Sequence, residues 1–256
     1  AEIAALPQPP GPGAGQQDCD GGTHQIWPGL PTKLDGSPNP VAAYPQPAVY
    51  RLKMEVAQHS YSSSPVRTLV PYVDANGRTV PAGTVVPQLP KSTIYGFDKS
   101  FYSTLINAEY GTPVLLRVEN HLDENPLNLD RGDFGDPELH VLTHLHNGHT
   151  AAESDGNPHH RPHAYGPGQW VDNLYLNYPA GGDDAEKQSF LWFHDHREGH
   201  TGANVYKGMA GLYPIYDPKL DPGDETRGLR LPGVRTDRPD GTFNVEYDLP
   251  LAVHDV

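Results

Sequence analysis

The sequence predicts an all-β protein, and three observations carry that prediction. Its 256 residues include 27 glycines and 28 prolines, residue types poorly tolerated inside helices. Residues 49–57 (VYRLKMEVA) alternate Tyr50, Leu52, Met54 and Val56 with Arg51, Lys53 and Glu55, the period-two pattern of a half-buried strand. Other short apolar segments follow at intervals, separated by turn-forming residues.

Residues 1–44 come first, rich in Pro, Gly and Gln and lacking sustained periodicity; they read as an extended arm without a catalytic role. After the strand at 49–57, Asp74-Ala-Asn-Gly77 separates two valine-bearing segments and predicts a hairpin, with Asn-Gly supplying the positive φ of a type I′ turn. Residues 112–120 (TPVLLRVEN), 139–146 (LHVLTHLH), 188–196 (QSFLWFHDH) and 210–216 (AGLYPIY) are further expected strands. Residues 197–208 suit a short helix or a turn. From 217 to 241 the composition is that of a linker, and 245–256 reads as one more strand with no partner in sequence. An isolated strand is unstable in water, so this last segment is expected to start a second domain completed by another chain. The expected organisation is an arm over 1–44, a first domain over 45–219, and a linker with the opening strand of a second domain over 220–256.

Composition excludes some partners. The formal net charge is -14, with 32 acidic against 18 basic residues, so the summed field repels phosphate backbones and anionic headgroups. Neither nucleic acid nor a membrane is an expected partner; no run approaches the roughly 18–20 apolar residues that cross a bilayer. A chain beginning at Ala1 is consistent with a removed export signal, hence a secreted or extracytoplasmic location. Cys19, the single cysteine, excludes an internal disulfide but leaves open a bridge to another chain.

The chemistry concentrates in histidine. Of 14 histidines, ten lie between positions 140 and 200, and that stretch holds two His-x-His pairs, His144-Leu145-His146 and His194-Asp195-His196. On a strand, residues i and i+2 share a face, so each pair aims two imidazoles into one space. A single pair is as readily an exposed or hydrogen-bonded surface feature. Two pairs, each preceded by apolar residues, would put four imidazoles at the edge of a core, where leaving them without partners is costly. Metal binding follows, with copper, zinc, iron and nickel all suited to imidazole. Asp195 points to the opposite face and reads as a structural hydrogen-bonder; Trp192 and Phe193 read as core.

The segment 143–156 (THLHNGHTAAESDG), followed by 191–196 (LWFHDH) and 201–211 (TGANVYKGMAG), resembles the first cupredoxin domain of multicopper oxidases, particularly the three-domain bacterial branch with laccase, bilirubin oxidase and phenoxazinone synthase. The resemblance spans roughly residues 45–256. It implies a cupredoxin-like Greek-key sandwich or barrel, with His144 on a type 2 copper and His146, His194 and His196 on a type 3 pair. It also implies a proton-delivery role for Asp155, whose alternative is that of a turn former before Gly156. His140, His149 and His200 match no ligand position of the family. The usual Pro-Gly-Pro-Thr segment is replaced around 101–104 (FYST), and 157–169 is longer than in typical members, so substrate access is expected to differ.

Half of the family's ligand set is not in this sequence. The type 1 copper needs a Cys between histidines, which Cys19 cannot supply, and four further cluster histidines belong to a later domain. The resemblance therefore implies an oxidase active only with a C-terminal fragment or subunit, taking electrons from a phenol, aminophenol or metal-ion reductant and passing them to O2. Two other readings are a non-catalytic copper-binding cupredoxin-like module and a zinc hydrolase with three protein ligands and an activated water.

Overall fold

A computed structural model describes residues 45, 47–61, 65–74, 76–86, 91–122, 139–151, 154–159, 164–178, 187 and 189–253. The arm expected over 1–44, with Cys19, lies outside the described residues. In chain order the elements are β1 (Ala48–His59), β2 (Val66–Arg67), β3 (Tyr72–Val73), β4 (Thr79–Val80), β5 (Val85–Val86), β6 (Ser92–Phe97), β7 (Ala108–Glu109), β8 (Val114–Asn120), β9 (Thr143–His146), β10 (Trp170–Tyr175), β11 (Ser189–Asp195), α1 (Thr201–Tyr206), β12 (Ala210–Tyr216), β13 (Val234–Asp237) and β14 (Phe243–Glu246). Among the described residues the protein is all-β apart from one short helix, as the sequence predicts.

Two four-stranded sheets, ordered β10-β8-β1-β6 and β7-β12-β11-β9, face each other. Strands distant in sequence pair: β1 runs parallel to β8, and β9 runs antiparallel to β11. This is the cupredoxin-like sandwich. Met54, Phe97, Leu116 and Val118 from the first sheet meet Leu145, Leu191, Phe193 and Tyr213 from the second in one core, with the rings of Phe97 and Phe193 5.0 Å apart.

β8 is buried along its whole length, including two charged residues. Arg117 donates from Nε and Nη2 to the two carboxylate oxygens of Asp172, both at 2.6 Å, directly across the β8–β10 pair. Its guanidinium also lies 4.5 Å from the centroid of Trp170. A fork-to-fork pair satisfies both partners, which is how two charges persist inside a sheet.

Two expectations need correction. The β3–β4 hairpin forms, but the hydrogen bond from Gly77 N–H to the Asp74 carbonyl puts Asn76 third and Gly77 last in the turn, with Gly77 at φ +77°, so Asn-Gly is not the central pair of a type I′ turn. Asp74 accounts for this: its carboxylate accepts from the backbone N–H of Asn76 and Arg78, and its carbonyl accepts from Gly77 N–H at 2.9 Å. That arrangement ends the turn on a left-handed glycine.

The segment expected as a partnerless strand over 245–256 is instead β14, residues 243–246, paired antiparallel with β13 inside the stretch read as linker. No apolar periodicity marks β13; side-chain chemistry holds it. Arg235 pairs with Glu109 at 2.5 Å and Asp237 at 2.7 Å, and its guanidinium stacks 3.8 Å from the centroid of Phe243. Phe243 is buried against Tyr216, and its carbonyl accepts from the Asn107 amide at 3.2 Å. Beyond β14 the chain presents Tyr247, Leu249 and Leu251, each 78% exposed.

Candidate metal centre

The sheet containing β9 and β11 sorts their residues by alternation. Thr143 and Leu145 point inward from β9, as do Leu191, Phe193 and Asp195 from β11. The other face carries His144 and His146, with Phe190, Trp192 and His194. Cross-strand register places His144 opposite His194 and His146 opposite Trp192. His196 follows β11 directly, and its N–H donates to the Leu142 carbonyl at 2.8 Å.

Four imidazoles therefore gather on one outer face. His144, His146 and His194 each bring one ring nitrogen to within 4.8 Å of the others. His196 lies alongside rather than in that trio, stacked on His144 with ring centroids 4.4 Å apart and planes 21° apart. His194 is almost wholly buried, and the other three are partly exposed.

The donor set suits a transition metal. His144 Nδ1 donates to the Asp155 carbonyl at 2.5 Å, and His194 Nδ1 donates to the Asp195 carbonyl at 2.6 Å, so that Nε2 of each ring carries the acceptor lone pair. That is the outer hydrogen-bonding pattern of ligating histidines. His146 Nδ1 faces His194 Nε2 at 3.3 Å. His196 Nδ1 is buried with no hydrogen-bond partner among the described residues, which fits a nitrogen that a metal would take.

Burial favours the neutral form of His194 and His196, the state that binds metal. Burial pushes His194 down to about 4, with His144, His196 and His146 acting the same way against the pull of the Asp195 carbonyl. Burial and then His144 also lower His196; the Gly156 main chain acts oppositely but does not reach hydrogen-bond geometry at Nδ1.

Asp155 sits behind His144. Its carboxylate Oδ1 lies 3.5 Å from His144 Nδ1 and accepts from the Thr150 hydroxyl at 3.1 Å, leaving the side chain about one-third exposed. Gly156 makes this turn possible: with φ +66°, it brings the main chain so close to β9 that a Cβ would lie 2.3 Å from the Thr143 carbonyl oxygen.

Asp195 faces the interior, where its two oxygens accept from Leu142 N–H and the Asn204 amide, both at 2.8 Å. It thereby ties β11 to the segment entering β9 and to α1. Burial holds its carboxyl above the usual range, partly offset by those hydrogen bonds. His140, His149 and His200 lie outside the trio.

Trp192 was expected in the core with Phe193, and only Phe193 is there. Trp192 shares the outer face with the histidines and is partly exposed. Its ring stacks on His194 at 4.0 Å and 20°, and on His146 at 5.0 Å and 30°. The two-residue spacing from His194 marks this face, whereas bulk and hydrophobicity alone point to the core.

In fold, this is a cupredoxin-like domain. By sequence, it is similar to laccases: it is 30% identical to a laccase of Bacillus stratosphericus and 27% identical to a laccase of Bacillus subtilis (strain 168), each over 176 residues covering 65% of this chain. The chain spans about 30% of the length of these curated relatives. No protein-family model matches. Among solved structures, a multicopper oxidase from Pediococcus acidilactici aligns over 74% of this chain and 30% of its own, with TM-score 0.43 and 17% identity.

Proposed function

We propose that this chain is the N-terminal part of a copper-dependent oxidase that couples one-electron oxidation of a phenol, aminophenol or metal-ion reductant to four-electron reduction of O2 to water. One observation carries the proposal: His144, His146 and His194 converge on a single outer face with His196 beside them, while main-chain carbonyls hold two of their Nδ1 atoms. His144 would hold a type 2 copper, and His146, His194 and His196 a type 3 pair. Bound copper supplies the one-electron redox chemistry that lets the site reduce O2. The chain's own residues orient and insulate: the Asp155 and Asp195 carbonyls fix the tautomers of His144 and His194, and burial keeps His194 neutral.

Asp155 has the position to handle protons. Its partly exposed carboxylate lies between solvent and His144, with the Thr150 hydroxyl as a neighbour along which a proton can pass. The remaining ligands and the type 1 copper belong to further polypeptide, joined at the histidine face. A site assembled from two pieces stabilises their association, because copper held from both sides binds the assembled state more tightly than it binds either piece alone. A secreted or extracytoplasmic setting is part of the same proposal.

Native intact-mass analysis with metal content tests this reading on protein purified without chelators. The expected result is a second polypeptide with a His-Cys-His motif and about four coppers per assembly. Zinc without copper would replace the oxidase with a hydrolase. Copper without O2 consumption in the presence of a phenolic reductant would reduce the chain to a metal-binding module.

A further inference from the structure

We infer that Trp192 is a positioning residue for the metal centre, its indole setting the ring planes of His146 and His194. The inference rests on the copper reading of this face. Trp192 is the cross-strand partner of His146 and the same-face neighbour of His194, so backbone register alone brings one indole against both rings. The contacts are close to parallel, 20° to His194 and 30° to His146, whereas the two imidazoles are tilted 40° from each other with centroids 5.5 Å apart. An imidazole confined by a flat neighbour cannot swing about its outer side-chain torsion without losing that contact, a torsion otherwise broad and soft.

Such a device matters for these two rings because neither has an outer hydrogen bond to a neighbouring segment among the described residues. His144 is oriented by a hydrogen bond from Nδ1 to the Asp155 carbonyl on a neighbouring turn. His194 has only the carbonyl of the next residue, and the Nδ1 atom of His146 faces the cluster rather than an outer acceptor. The indole supplies the missing constraint, holding His146 Nδ1 3.3 Å from His194 Nε2. Its partly exposed position on the outer face also separates this role from core packing, which Phe193 performs on the other side of the strand.

The test titrates Cu(II) alone into the 256-residue chain and into Trp192→Leu and Trp192→Phe, recording affinity, the copper EPR spectrum and the thermal midpoint of the metal-free proteins. Leu removes the plane, and Phe keeps a smaller one. Trp192→Leu should bind copper about 10- to 100-fold more weakly with an altered nitrogen coupling pattern, and Trp192→Phe should recover most of the affinity. Copper should also quench tryptophan emission strongly in the wild type and much less in Trp192→Phe, which retains the other tryptophans. Equal affinity and spectra in wild type and both variants would overturn the inference while leaving the copper reading intact. A wild-type chain that binds no copper, or binds it equally after His194→Ala, would sink the copper reading and this inference with it. If Trp192→Leu does not fold, Trp192→Met, which also lacks a ring plane, takes its place: wild-type copper affinity and spectrum in that variant overturn the inference.

Discussion

Replacing Gly156 by alanine should damage the proposed metal centre through the backbone alone. The left-handed conformation at φ +66° costs a residue with a Cβ about 1–2 kcal/mol. The added methyl would also lie 2.3 Å from the carbonyl oxygen of Thr143, 2.7 Å from its carbon and 3.1 Å from the nitrogen of His144. Those are main-chain atoms of β9 and cannot rotate away, so the turn must retreat from the strand, adding about 1–3 kcal/mol of overpacking. We expect a total destabilisation of about 2–5 kcal/mol. Retreat also pulls the Asp155 carbonyl from His144 Nδ1, now 2.5 Å away, and loss of such an outer partner weakens metal binding by about 10- to 100-fold. Urea unfolding of the metal-free chain reads the first effect as a lower midpoint at constant m, and Cu(II) titration of the folded variant reads the second. A Gly156→Ala protein with wild-type midpoint and copper affinity would refute the claim that this turn presses on β9 and orients His144.

Asp195→Ala should destabilise the chain by about 2–4 kcal/mol by stranding the Leu142 N–H and the Asn204 amide, with Asp195→Asn milder because one oxygen acceptor remains; chemical denaturation distinguishes the two. Arg117→Met should cost about 3–5 kcal/mol because it leaves the Asp172 carboxylate buried alone, and the double change Arg117→Met with Asp172→Leu should recover most of it in the same assay. Burial pushes the Glu119 carboxyl up, but Arg51 and then His121 outweigh it and hold the group below the usual carboxylate range. Its contribution is therefore complete above the unfolded value of about 4.3 and is lost as pH falls through the lower folded value, so Glu119→Gln should flatten the acid limb of a stability profile below about pH 4.3.

Strands whose alternation is written in hydrophobicity were legible: residues 49–57 lie within β1, and 210–216 coincide with β12. The shared face within each His-x-His pair was legible for the same reason, since period two is a property of any strand. β13 escaped because Arg235 binds it through an ion pair and a stacked ring that no periodicity records. The turn after Tyr72-Val73 escaped in type because the Asp74 carboxylate, two residues upstream of Asn76, captured the backbone N–H groups.

By itself, then, the sequence determined an all-β chain and which histidines travel together, because both are local consequences of strand geometry. Only the tertiary structure decided that His144 stands opposite His194, that Trp192 lies against the imidazoles, and that Asp195 turns inward to Leu142 and Asn204. Those facts depend on the register between β9 and β11, strands far apart in sequence. That register is set by which side chains fill the shared core, and a one-residue slip would send every imidazole of one pair to the opposite face.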